Sequence, residues 1–438
     1  MNKNMMRRRS ALTLSLGALA SCSTPKAKIP GIQIPVLPDT GTFTVAVDAP
    51  SVSLPAALAL DAWPQQLANP AHAPGNVAGP TGLAPHWASS IGTGGGYRQP
   101  LLAQPVLAGG QIFAMDADAV VTAHSLSDGT QVWRRVTRPK HATEQNIGGG
   151  IGYDQGRIYA STGYGELLAL DAASGHVIWR QALDYPTRTA PTIAGGLVAV
   201  VVQNDLLLTF DAGTGTPGWR FTGNVAQSSG AAVGITGAPA YADGILVAGF
   251  SSGTLAALDA NSGTPVWEQS LASSFGQASS LDFSDIVAAP VIAGGVVYAI
   301  GLGNTTIAVD LHSGNKVWTH SASGTSPFCV AGGFAFLLDK TQTLFAIHVD
   351  DGLVSWSLQM PLYKNPKKKK KPLLWTGPVL VNGALVLTND LGEMALVDPV
   401  AGTLQSVGRL AGPADMTPIA ASGVLVQLTR DAKLTVYG

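Results

Sequence analysis

Charge is scarce in this chain, and so is cysteine. Asp, Glu, Lys and Arg make up 12% of its 438 residues, against roughly 25% in ordinary soluble domains. The net charge of −1 leaves no electrostatic footprint for nucleic acid or for bulk attraction to an anionic surface. With two cysteines, Cys22 and Cys329, no disulfide framework can hold the fold together. The eight histidines form no His-x-x-x-His pair and no Cys/His cluster, so no metal site is expected. Glycine-rich runs at 94–96 and 148–152 do not open a periodic helix, which excludes a phosphate cradle. No Gly-x-Ser-x-Gly elbow has a triad context. The chain therefore carries no catalytic signature and no cofactor motif.

What it has instead is a repeat. The pattern Asp-x-x-[Ser/Thr]-Gly-x-x-x-Trp runs from Asp171 to Trp179, Asp211 to Trp219, Asp259 to Trp267 and Asp310 to Trp318. Weaker copies end at Trp133 and Trp356, a seventh reaches Gly402 but has Ser406 in place of Trp, and an orphan Trp87 stands near the start. Successive positions lie between 38 (318 to 356) and 51 (267 to 318) residues apart, the period of a β-propeller blade. Before each Asp lies an apolar strand, and the Asp-x-x-Ser/Thr-Gly unit is a tight turn in which glycine supplies positive φ. Earlier in each unit, sequences such as Pro-Val-Ile-Ala-Gly-Gly-Val-Val-Tyr-Ala (290–299) read as strand, hairpin, strand. Four strands per unit follow.

Seven units are complete. The strands after Ser406 lack a final Trp strand, and Trp87 is such a strand without predecessors. Pairing the two ends makes an eighth blade and removes an open edge; seven blades is the alternative count. The predicted fold is all-β, an eight-bladed propeller of four-stranded antiparallel blades closed by its terminal strands. The 52 glycines and the 46% hydrophobic content suit many short buried strands joined by turns.

Arg7–Arg9 precede an apolar stretch, Ala11 to Ala20, too short for a comfortable membrane span. Leu19-Ala20-Ser21-Cys22 resembles the bacterial lipobox, in which Cys becomes the lipidated first residue; the alternative is a plain secretory signal with an incidental Cys. Residues 1–21 are thus expected to be a lipoprotein signal peptide, 22–60 a proline-bearing tether with a strand at Thr42–Val47, and 61–438 the propeller. Ser23, which is not Asp, implies the outer membrane and its periplasmic face. Cys329, in an apolar run, reads as a buried inert thiol.

The repeat resembles the quinoprotein-like propellers. Together with the lipobox, the tether, the Trp63–Asn76 segment and the Trp87 strand, it is most similar to the BamB (YfgL) family, β-propeller lipoproteins of the outer-membrane β-barrel assembly machinery. That resemblance implies a non-enzymatic scaffold without cofactor or metal. The implied partners are the POTRA domains of BamA, other subunits of the complex and unfolded outer-membrane precursors. Carried onto this sequence, the partner surface falls on two adjacent loops, with Ser284 and Asp285 before Pro290 and Ala231 and Val233 before Pro239. Val287 stands where the family pattern has a second acidic residue, and the Arg expected in the other loop is missing. A turn-capping role for Asp285 stays open beside a partner contact.

The alternative class is a cofactor-binding periplasmic propeller of the pyrroloquinoline quinone type. Those enzymes use an adjacent Cys pair and a calcium ligand set, neither of which is legible here. The periodic Asp171, Asp211, Asp259 and Asp310 are expected to cap turns at equivalent places, without converging. Last, Lys364 and Lys367–Lys371 fall in a loop between two blades. Either it is simply solvated, or it is drawn to anionic headgroups or an acidic partner.

Overall fold

The computed structural model describes residues 43–223, 236–272 and 283–438. These build eight four-stranded antiparallel sheets in which neighbouring strands follow one another in sequence. Seven blades are continuous, over 106–136, 149–182, 192–222, 240–270, 291–320, 329–359 and 375–409. In the eighth, Ile419–Ala421, Val424–Leu428 and Lys433–Tyr437 are completed by Pro85–Ser90 from the other end of the chain. The ring therefore closes as the unpaired terminal strands require.

Burial is deepest in the two middle strands of a blade and drops sharply in the last. In the fourth blade Ile245–Gly249 and Thr254–Asp259 are almost wholly buried, whereas Pro265–Ser270 keeps only Trp267 inside. The inner strands are apolar on both sides because each blade is sandwiched between two others. The outermost strand meets the next blade chiefly through its Trp, helped in places by a side chain such as Arg135, Gln269 or His320 bonded to the motif glycine's carbonyl.

That Trp locks each blade to the next. The indole N–H groups of Trp87, Trp133, Trp179, Trp219, Trp267, Trp318 and Trp356 donate to Leu126, Ala172, Ala212, Ala260, Leu311, Val349 and Pro399, at 2.7–3.1 Å. Each acceptor opens the Gly-containing turn of the following blade. The motif glycine lies under the ring: a Cβ on Gly314 would sit 2.5 Å from Trp267, and one on Gly175 2.6 Å from Trp133. The glycine is thus needed twice, for its positive φ of 69° at Gly314 and for the room it leaves the indole. Within its own sheet the Trp faces a small residue, as in Ala257↔Trp267 and Ala308↔Trp318.

Ser406 marks the one joint built differently. Its cross-strand partner is Leu396 instead of Ala, so the bulk has moved to the neighbouring strand. The following blade is the one divided between the chain ends, and it has no Asp-x-x-Ser-Gly turn for an indole to cover. A shallow groove of about 240 Å³ lies there, lined by Leu83, Leu396, Ser406, Arg409 and Tyr437 among others.

The stretch expected to be a tether to residue 60 touches the ring from Phe43 onward, with Phe43 and Val52 buried and most of the rest in solvent. Phe43 is buried against His320 and Phe345. The strand expected at Thr42–Val47 is reduced to a single parallel bridge, Val45↔Val354; Thr42 lies outside the described residues. A turn at Val47–Asp48 ends the pairing, leaving Val47 in solvent.

From Ser53 to Gly79 the chain then crosses the ring as a strap, engaging the first strand or first hairpin of every blade. Ser53 lies against Gly332. Val77 exchanges hydrogen bonds with Leu380 and Asn382, and Leu60 accepts from Ser422. Trp63 pairs with Leu107, and Pro64 accepts from Tyr153. Gln65 both donates to and accepts from the Ile193 backbone. Pro70 and Ala71 accept from Tyr241 and Ile292. Trp63 is fully buried. Proline, glycine and left-handed residues (Leu67, Ala68 and His72 at φ 55–77°) let the strap turn within the hub, where a regular strand could not satisfy eight hairpins at once.

Candidate partner-binding surface

Connections from the fourth strand of one blade to the first strand of the next emerge on the face opposite the strap's hairpins. Two of them, 223–239 and 271–290, carry the residues expected to bind a partner. Ala231 and Val233 lie outside the described residues. The ends of both loops are described, and they touch: Gly237 N–H donates to Ile286 O at 3.4 Å. A Cβ on Gly237 would run into the Ala288–Ala289 backbone, so glycine is required for this approach. The loops are neighbours on one face, as consecutive blades dictate.

Ser284 is half-buried and Phe283 beside it is 40% exposed, but Asp285 is 0% exposed. Its main-chain oxygen accepts from Leu302 N–H at 3.0 Å, and the next residue, Ile286, donates to Phe250 O at 3.1 Å. Ile286 is buried with Leu255, Leu271 and Val297. Asp285 is thus held inside the fold, and the outer surface here belongs to Phe283, Ser284 and Val287. Sequence could not separate these roles, because a Ser-Asp pair at a strand entry has the same pattern whichever way the carboxylate turns.

On the same face, Asp205 receives Ser251 N–H and Oγ–H at 2.7 and 2.5 Å and Ser252 N–H at 2.9 Å, tying the third blade to the fourth beneath these loops. Its position after an apolar strand, with Ser-Ser in the corresponding turn of the next blade, was the only signal in the sequence. The periodic aspartates have the capping role expected of them. Asp171, Asp211, Asp259 and Asp310 each accept from the backbone N–H and the hydroxyl three residues on, at 2.6–2.8 Å. The same hydrogen bonds hold their carboxyls below the usual range. Cys329 is buried, and burial pushes its thiol up to about 12, which leaves it inert.

The family description "Outer membrane protein assembly factor BamB" matches residues 117–358, more than half of the 438. The chain belongs to the BamB family. The Escherichia coli (strain K12) outer membrane protein assembly factor BamB is 27% identical over 365 residues, covering 80% of this chain and 87% of the relative. The Yersinia pestis protein of the same name is 26% identical over 362 residues, covering 78% and 85%. The crystal structure of BamB from Moraxella catarrhalis superposes with a TM-score of 0.68 at 18% identity, over 81% of this chain and 99% of that one. A quinohemoprotein alcohol dehydrogenase from Comamonas testosteroni gives 0.66 at 13%, over 86% and 80%; that likeness is one of fold.

The family places this chain with assembly factors and not with the dehydrogenases whose ring it shares. Among the described residues no three His, Cys, Asp or Glu side chains come together as a cation site.

Proposed function

We propose that this BamB-family chain is a non-enzymatic scaffold of the β-barrel assembly machinery that binds the POTRA domains of BamA through the paired loops before Pro239 and Pro290. The observation that supports this most directly is the contact between Gly237 and Ile286, which joins two loops of adjacent blades into one surface. Phe283, Ser284 and Val287 give its described part the mixed apolar and polar character of a modest interface, and the sequence of the other loop supplies Ala231 and Val233. Lipid attached at Cys22 would keep this scaffold at the periplasmic face of the outer membrane, where precursors arrive.

The test is capture of POTRA domains by the purified chain. Val233→Asp combined with Ser284→Arg puts charge on both loops and should weaken binding at least tenfold, with the circular dichroism spectrum unchanged. Wild-type affinity in a folded double variant would mean that another face is used. Replacing Asp285 would be a poor probe, since a buried substitution confounds folding with binding. Cys22→Ala should release the protein from the outer-membrane fraction without altering POTRA affinity in solution.

A further inference from the structure

The connection between the sixth and seventh blades stands apart from the others. Tyr363–Asn365 and Lys370–Pro372 form a two-stranded hairpin of their own. Pro366–Lys368 makes a 3-10 turn at its tip, capped by the Asn365 side chain, which accepts from Lys368 N–H at 3.1 Å. The base is held by Trp375, which is buried. Its backbone N–H donates to Gln342 and its indole to Pro361, at 2.6 and 2.8 Å. This is a built projection, not a slack loop.

Its surface is almost wholly cationic. Lys364 and Lys367–Lys371 are all exposed, six lysines within eight residues. Lys364 reaches Glu393 at 3.6 Å, and Lys367–Lys371 form no ion pair among the described residues. Placing five like charges together without counterions costs free energy through repulsion. In a chain with so few charged residues, that concentration is unusual. On either side of the hairpin's base, Leu362 and Leu374 are 40% and 59% exposed, and Leu373 N–H to Leu362 O at 2.9 Å holds the two flanks together. Lysines beside exposed leucines are the combination that an anionic bilayer surface recognises: charge attracts the headgroups, and apolar side chains enter the acyl boundary. An acidic polypeptide would match the lysines but leave the leucines unexplained.

We propose that this hairpin is a second membrane contact, docking the rim of the ring between the sixth and seventh blades onto a bilayer rich in anionic phospholipid. It adds to the function proposed above and does not depend on the POTRA surface. Each lysine near a charged leaflet strengthens partitioning about fivefold at low salt, so five together contribute on the order of a thousandfold.

The test uses the full chain carrying Cys22→Ser, sedimented with phosphatidylcholine vesicles, with or without phosphatidylglycerol. Binding should need phosphatidylglycerol and fall steeply with salt. Replacing Lys367–Lys371 by serine should lower it at least a hundredfold, and Leu362→Ser with Leu374→Ser should lower it several-fold. The leucine variant should bind soluble poly-glutamate as the parent does. Equal sedimentation of parent and lysine variant would overturn the proposal. So would preference for poly-glutamate over vesicles, with no effect of the leucines, since that would make the partner an acidic polypeptide.

Discussion

The Trp–Gly lock makes a prediction that can be worked from its geometry. Trp267 is nearly buried, its indole donates to Leu311 O at 2.7 Å, and it rests on Gly314 of the next blade. Trp267→Ala should cost about 3–5 kcal/mol, from lost burial and the cavity left behind. Gly314→Ala has two separable costs. Its φ of 69° penalises any Cβ by about 1–2 kcal/mol, and forcing that Cβ against the ring adds about 1–3 kcal/mol. Only the second cost needs the indole. The Trp267 Cβ, 2.8 Å away, survives the truncation, so in the double variant only the ring's part of that cost vanishes, and the two substitutions together should cost less than their sum by about 1–2 kcal/mol. Urea unfolding of the four proteins, followed by far-ultraviolet circular dichroism, measures this coupling. Additivity within about 0.5 kcal/mol would refute the idea that glycine is present to admit the Trp, and would leave only the turn.

Two further outcomes follow from closure and from the hub. Deleting residues 83–92 removes the strand paired with Lys433–Tyr437 and the Trp87 contact to Leu126; the exposed edge should bring a steep loss of thermal stability and aggregation, and an unchanged midpoint would contradict the terminal pairing. His72 is buried, its Nδ1–H donates to Pro290 O at 2.7 Å, and burial lowers its pKa from 6.5 to about 4. A depressed histidine pKa means the unfolded chain binds the extra proton first, so stability is full above pH 6.5 and falls as pH drops toward 4, by about 3 kcal/mol. His72→Asn keeps a donor and suits the φ of 62°, and urea midpoints at pH 4.5 and 7 should then differ less; His124 and His320, also lowered by burial, supply what remains. An undiminished pH dependence would count against His72.

The ring was readable because every blade repeats the same local solution, and the terminal strands without partners gave its closure. Ser406 was visible as an exception, but its reason was not: the acceptor turn it lacks belongs to a blade assembled from both ends. The strap over 53–79 escaped notice because it has no period. Its order comes from eight separate hairpins, seven of which give it hydrogen bonds, and prolines and small residues look the same in a tether as in a hub. At the partner surface, sequence located the two adjacent loops but not which side chains face outward: Asp285 and Ile286, neighbours in the chain, are both buried.

The strap also has a consequence in time. Residues 43–90 leave the ribosome before any blade exists, yet their partners are spread over the whole remaining chain. Leu60 waits for Ser422, and Ala88 waits for Thr435. Blades can form one after another from local hairpins, and Trp63 can meet Leu107 early, but the leading segment cannot be fully paired until the final residues arrive. The hub is therefore completed last although it comes first in the chain, and a growing ring carries a partly used keystone until its eighth blade closes.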